Sequence, residues 1–334
     1  MRDYRIDFLR FLGFALIILA HIQPPNLIFT LRVFDVPMMM LISGASCSLS
    51  TSKDTYFQYV IKRFKRLVLP LWMFLALFFC MRYALGDPCS ISIMLSSFTG
   101  IKGIGYVWII RVFFIVAILW PFIKRFSESI SSNWTYLALI GAACLANEIF
   151  VQGTLKFLNN GSTRFFLNNF WDGITYSLLF AIGLRFHKYS NKQFLLICVC
   201  SLLIFIGCAT LIYCNSGDFK SFKNFKYPPR LYFLSYGIIA SIVCWYLSKY
   251  INRLKPILPV ILFLGQNTLW IYFWHIVYLY VFKHYETNFI ARYFIIIISS
   301  TVTYFCQYYL IKEIIVPKLD SKKAKEYLCM LFTG

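Results

Sequence analysis

Charge is scarce in this 334-residue chain: 14% of its residues are Asp, Glu, Lys or Arg, whereas 60% are hydrophobic. The mean hydropathy is +0.68. This usage excludes an ordinary soluble domain, whose core cannot absorb so much apolar surface, whereas a bilayer can. Acid is scarcer still, with 13 Asp and Glu against 33 Lys and Arg and a net charge of +20. In a soluble protein that balance would suggest nucleic acid, but in a membrane protein it reads as topology, because Lys and Arg gather in cytoplasmic loops. The eleven cysteines form no CxxC pair, so neither a zinc site nor a disulfide framework is expected, and most read as small buried hydrophobes. Cys89 and Cys214 remain as one pair that could bridge. No metal site, flavin or nucleotide fingerprint, internal repeat, low-complexity segment or soluble domain is visible. A cleavable signal peptide is also not expected, since Asp7 and Arg10 interrupt the first apolar run and no small-residue cleavage site follows.

What is present is a series of apolar runs, among them 11–20, 194–213 and 294–310, which approach or reach the roughly 20 residues that cross about 30 Å of hydrocarbon. Spans are expected near 6–24, 33–50, 67–85, 106–123, 134–151, 173–187, 193–213, 230–248, 257–282 and 293–316. The chain thus reads as one all-α transmembrane domain, 1–334, of about ten helices. With the N-terminus inside, Arg2 and Arg5, the Lys53 to Arg66 stretch, Lys124 and Arg125, Arg185, Lys188 and Lys192, Lys249, Arg253 and Lys255, and the tail from Lys312 all fall on the cytoplasmic side. Even parity returns the C-terminus there too. Lys220, Lys223 and Lys226 break the rule by lying outside. The outer loops at 86–105, 152–172 and 214–229 are the longest connections and are candidates for substrate binding or plain connectors.

Arg10 and His21 are the most informative pair. Eleven residues turn a helix through about 1,100°, roughly 20° past three full turns, so both side chains share one face about 16 Å apart along the axis. An ionised residue within a span costs about 2.5–3.5 kcal/mol on insertion scales and normally faces a protein interior and a partner. Asp7, three residues before Arg10, lies on a similar face and could pair with it. The competing reading has Arg10 and His21 snorkelling to opposite interfaces. Small residues at Ser43, Gly44, Ala45 and Ser46 would let helices approach closely. Asn160-Gly161-Ser162 is a glycosylation sequon that matters only in a eukaryotic secretory host.

The opening MRDYRIDFLRFLGFALIILAHIQPP resembles that of the membrane acyltransferase 3 family, whose members O-acylate O-antigens, capsules and other envelope glycans. The family's mark is an Arg or Lys, ten residues, then a His in the first span, here Arg10 and His21. FDVPMMMLISG (Phe34 to Gly44) resembles its second-helix motif, and KRFKRLVLP (Lys62 to Pro70) its basic lead-in to the third span. YVWIIRVFF (Tyr106 to Phe114) is similar to its tryptophan-bearing fourth span, and LGQNTLWIYFWH (Leu264 to His275) to its late Tyr-x-x-His helix. The stretch 125–225 is the least family-like.

The resemblance implies an integral O-acyltransferase of the bacterial inner membrane, carrying acetyl from cytosolic acetyl-CoA to a hydroxyl of a cell-envelope carbohydrate, lipid-linked or free, with no metal and no nucleic acid. On that footing the phosphates of acetyl-CoA call for the inner basic set of Arg10, Lys62, Arg63, Lys65 and Arg66, through charge-assisted contacts. His21 is the candidate general base, suited by an ordinary pKa of about 6.5, with an acetyl-His relay as the alternative chemistry. Asp35 is expected to orient it. Trp108, Arg111, Tyr272, His275 and Glu148 are candidates for acceptor contacts, with a supporting role the competing reading for His275. A transporter or flippase of a lipid-linked glycan is the rival from another class, since buried charge within ten spans suits it equally.

Overall fold

The computed structural model describes residues 3–50, 54–101, 103–155, 161–285 and 288–333. Among them there is no strand. Fifteen α-helices run in order: α1 (Tyr4–His21), α2 (Asn26–Leu31), α3 (Asp35–Ser48), α4 (Tyr56–Ala84), α5 (Ile91–Thr99), α6 (Trp108–Ser129), α7 (Asn133–Leu155), α8 (Gly161–Phe166), α9 (Asp172–Leu184), α10 (Asn191–Ser216), α11 (Leu231–Leu247), α12 (Leu258–Gln266), α13 (Thr268–Val281), α14 (Phe289–Tyr309) and α15 (Lys322–Phe332).

Local chemistry sets where these helices begin and end. Asp3 caps α1 by accepting the Arg5 N–H, while Thr55 with Gln58 and Ser190 with Gln193 form reciprocal capping boxes that open α4 and α10. Gly217, at φ 72°, closes α10 in the left-handed conformation that glycine adopts without penalty. The capping box at Thr55 starts α4 eleven residues before the expected span, so Lys62 to Arg66 lie within the helix rather than in a loop before it.

Each expected span overlaps a helix, but membrane-crossing capacity is less uniform than expected. Judged by length and apolarity, six helical stretches among the described residues can cross a membrane, or seven if α12 and α13 count as one. The helices α1, α6 and α9 are not among them, being charged or short. The run expected as one helix over 257–282 is broken, with α12 and α13 meeting at 86°. Asn267 sits at the break, where its Nδ2 donates to the Phe263 carbonyl at 2.7 Å and its Oδ1 accepts from Tyr304 at 2.8 Å. Its side chain thereby supplies partners where helical pairing is lost.

The helices divide into an interior and a shell. The 18-residue apolar windows within Asn26–Ser48 and Leu231–Ile251 are 56% and 61% buried, against 11% for α10 and 17% for Phe289–Lys318. The interior is sealed by backbone contact. A Cβ on Gly44 would lie 2.1 Å from the Phe180 carbonyl oxygen, and one on Gly183 would lie 1.9 Å from that of Leu41. Only hydrogen fits in that α3–α9 seam, the close approach expected from the small residues of 43–46. Gly265 does the same for α12, whose backbone rests on the Asp7 carbonyl of α1.

Candidate active site

His21 is the last residue of α1, and His275 lies in the second half of α13. The crossing of these helices brings His21 Nδ1 to 3.0 Å from His275 Nε2, with the two rings nearly parallel. His275 has no solvent exposure, and its Nδ1 is hydrogen-bonded to the Tyr272 carbonyl one turn earlier. A carbonyl can only accept, so His275 Nδ1 carries the proton and its Nε2 carries a lone pair. His21 Nδ1 must then be the donor, which leaves His21 Nε2 as an unprotonated base. Tyr106 packs edge-on against His21 with ring centroids 4.7 Å apart. The Tyr272 hydroxyl donates to the Tyr106 carbonyl and fixes that neighbour.

His21 borders two cavities. The larger, about 580 Å³, is also lined by Arg32, Asp35, Trp108, Lys226, Tyr227 and Tyr272. The smaller, about 380 Å³, lies towards Arg82, Tyr280 and Arg292. In the larger cavity Arg32 binds Asp35 at 2.6 Å, and Lys226 Nζ approaches the other oxygen of the same carboxylate to 3.9 Å. Lys226 also lies over the rings of Trp108 and Tyr227, at 5.8 and 5.4 Å. Burial pushes the Lys226 ammonium below its ordinary pKa; Asp35 opposes that shift and Arg32 adds to it. Asp35 stands at the start of α3, where its Oδ1 accepts the Val36 N–H and favours the positive end of the helix dipole.

The opposite end of α1 carries a looser basic group. Arg10 contacts Asp7 at 3.4 Å and donates to the Ser46 hydroxyl at 2.7 Å. Arg63 reaches the Cys47 sulfur from the other side. Lys62 is 61% exposed and paired with Asp54, Lys65 lies over Tyr327, and Arg66 is exposed. Arg10 and Arg63 therefore converge on the end of α3, whereas Lys62 points away towards Asp54.

Of the residues expected at the site, the structure joins His21, His275, Trp108 and Tyr272 and places Asp35 in the same cavity wall. The expectation that Asp35 orients His21 is corrected: the carboxylate is held by Arg32, Lys226 and Val36, and His275 holds the imidazole. Arg111 does not line the cavity but ties the Gly100 carbonyl and Asn169 to Asp172 at the start of α9. Glu148 is also outside it, accepting from Arg230 and from the Leu231 N–H to cap α11. Both polar side chains are engaged by protein groups of the frame. Arg185, expected as a cytoplasmic loop charge, is 3% exposed and donates to the carbonyls of Ser127 and Ile130 at the end of α6. Cys89 and Cys214 do not bridge, and all eleven cysteines are free. Asn160 of the sequon lies outside the described residues.

Arg32, Tyr106, Lys226 and Tyr227 are the site residues that the sequence did not single out. A signal existed for Lys226, one of three lysines breaking the positive-inside pattern. It faces a buried carboxylate in this structure. Among the described residues no group of three or more His, Cys, Asp or Glu is placed to hold a metal ion.

No curated protein and no solved structure matches the chain. The family model described as an acyltransferase domain matches residues 3–309, a range holding Arg10, both histidines and every charged group of the larger cavity. The chain belongs to that acyltransferase family.

Proposed function

We propose that this protein moves an acetyl group from cytosolic acetyl-CoA to a hydroxyl of a cell-envelope carbohydrate, an O-antigen or capsule unit, across the inner membrane of a bacterium. In this reading α1, α6 and α9 also span, giving ten spans in one domain with both termini cytoplasmic. Of these three, α9 is almost wholly buried and α1 is partly so, and charge within a span is tolerable where it faces protein. The Arg10 end of α1 then faces the cytoplasm and the His21 end faces outward. The observation that carries the reading is the hydrogen-bonded histidine pair, which leaves His21 Nε2 free as a base at a cavity large enough for a sugar.

The roles follow from position. Arg10 and Arg63, with Arg66 on the same helix as Arg63, attract the phosphates of acetyl-CoA. The roughly 16 Å rise from Arg10 to His21 suits the extended thiol arm. At the outer cavity an acceptor hydroxyl gives its proton to His21 Nε2 as its oxygen attacks the thioester carbonyl. His275 Nε2 accepts the Nδ1–H of the resulting imidazolium and keeps the ring aligned. The C–S bond then breaks, and the departing sulfur takes the proton back from His21 as the free thiol. One imidazole serves both transfers, neutral as the base in the first and protonated as the acid in the second, an effect typically worth 10²–10⁴-fold. Trp108 and Tyr227 offer aromatic faces to a sugar ring, and Tyr272 holds Tyr106 against the base. Membership of an acyltransferase family favours this over a flippase, which buried charge alone would allow.

The test is mass spectrometry of the host's surface polysaccharide with the gene deleted and then restored as wild type, His21→Ala or His275→Gln. One acetyl per repeat should return with the wild type, fall at least about 10²-fold with His21→Ala, and fall less with His275→Gln. Full acetylation by an expressed His21→Ala protein would sink the assignment.

A further inference from the structure

We infer that the acceptor carries an acidic group, a carboxylate or a phosphate, which binds between Arg32 and Lys226 in front of His21. The inference rests on the proposed acyl transfer only for the identity of the ligand as acceptor.

The larger cavity holds unbalanced charge. Arg32, Lys223 and Lys226 line it, whereas Asp35 is the one carboxylate among its lining residues. Arg32 and Asp35 are 5% and 2% exposed, and the Lys226 side chain is 13% exposed. Removing charge from water is costly unless each ion finds a counter-charge and hydrogen bonds. One carboxylate balances the charge of only one of two cations. Its Oδ2 lies on Arg32, and its Oδ1 already accepts the Val36 N–H, leaving Lys226 at 3.9 Å, beyond hydrogen-bond range. Lys226 therefore has donors to spare, and Arg32 Nε is buried without a hydrogen-bond partner among the described residues. Lys223 adds a third charge at the rim, where it donates to Asn26.

A neutral sugar is a poor match for such a wall. Each of its hydroxyls both donates and accepts, so a site built for it needs acceptors in similar number to donors. Here charged donors are in excess and sit beside aromatic faces, Trp108 and Tyr227, 5.4 Å apart edge to face. A sugar ring on the aromatics with an acidic substituent towards Lys226 and Arg32 would complete the charge balance. It would also fix which hydroxyl meets His21 Nε2, making the acid a selector of position as well as of substrate.

The test uses the full chain in lipid nanodiscs and three probes: a uronate-containing oligosaccharide, its carboxyl-reduced neutral form, and the same neutral oligosaccharide bearing a phosphate. Binding is measured by thermophoresis and acetylation by mass spectrometry. At least one acidic probe should bind tenfold or more tightly than the neutral form, and which of the two does so separates carboxylate from phosphate. Lys226→Met should reduce that preference to within twofold, and Lys226→Arg should restore it. Equal binding of acidic and neutral probes, or no binding of either acidic probe, would overturn the inference, and the wild-type comparison decides this even if Lys226→Met fails to fold. Acetylation of the neutral and acidic probes alike would reject the acidic acceptor while leaving acyl transfer standing. Selective binding of an acidic probe without any acetylation would support the anion site and reject the transferase reading.

Discussion

The interior helices and the shell are built from the same apolar vocabulary yet hold together by different means. In the α3–α9 seam, glycine faces carbonyl at Gly44 and Gly183 with no room for a methyl group. In α10 a Cβ added at Gly207 would meet nothing within 4 Å, and little of the helix is covered by protein. The shell can change its side chains freely because it meets a fluid. The interior must keep its backbones in register, since α1, α3 and α13 carry the groups of the proposed site. Of the helices that fail a simple membrane-crossing criterion, α1 and α6 carry charge and α9 is short.

The sharpest way to break this contrast is one methyl group placed on each side of it. Gly183→Ala should cost about 3 kcal/mol or more, since overpacking against backbone cannot relax as a side chain does, and should be seen as lost monodisperse protein in detergent. Gly207→Ala should stay within about 0.5 kcal/mol of wild type. A smaller effect is expected between the cations at the far end of α1. Arg10→Ala should raise the KM for acetyl-CoA about tenfold or more, since tenfold corresponds to the lower end of the ~1.5–3 kcal/mol of a charged hydrogen bond. Lys62→Ala should change that KM less than about fivefold, because exposed pairs are worth ~0–1 kcal/mol. The smallest effect separates frame from site: Glu148→Gln should lower stability by about 1 kcal/mol in a thermal-shift assay without changing the acceptor KM. A raised acceptor KM in that variant would return Glu148 to the binding surface.

The shell was the easiest part to see in the sequence. The run of α10 announces itself by hydropathy, because a lipid-facing helix has nothing to accommodate but lipid. Interior helices are legible as well, but the break at Asn267 is not, and the Asn267 side chain is met there by a long-range partner, Tyr304. The same limit applied to the site. Arg10 and His21 were legible because they share one helix, and helical geometry relates them directly. That His21 is held by His275, 254 residues away, depends on how α1 crosses α13. Arg111 and Glu148 looked like ligand contacts because a polar group in a span needs a partner, but pattern alone cannot say whether that partner is substrate or protein. In both cases it is protein.

The elbow between α12 and α13 has a mechanical consequence. Its first arm rests on α1 at Asp7, through Gly265 and Gln266, and its second arm delivers His275 to His21. One continuous piece of chain thus grips α1 near both ends, as the jaws of a caliper grip a rod. The span between the lower cation and the upper imidazole is therefore a set dimension of the fold. In the proposed reaction a protein gauged in this way would select its donor by reach: a carrier whose arm is too short would leave its acyl group below His21, however well its charged end were held.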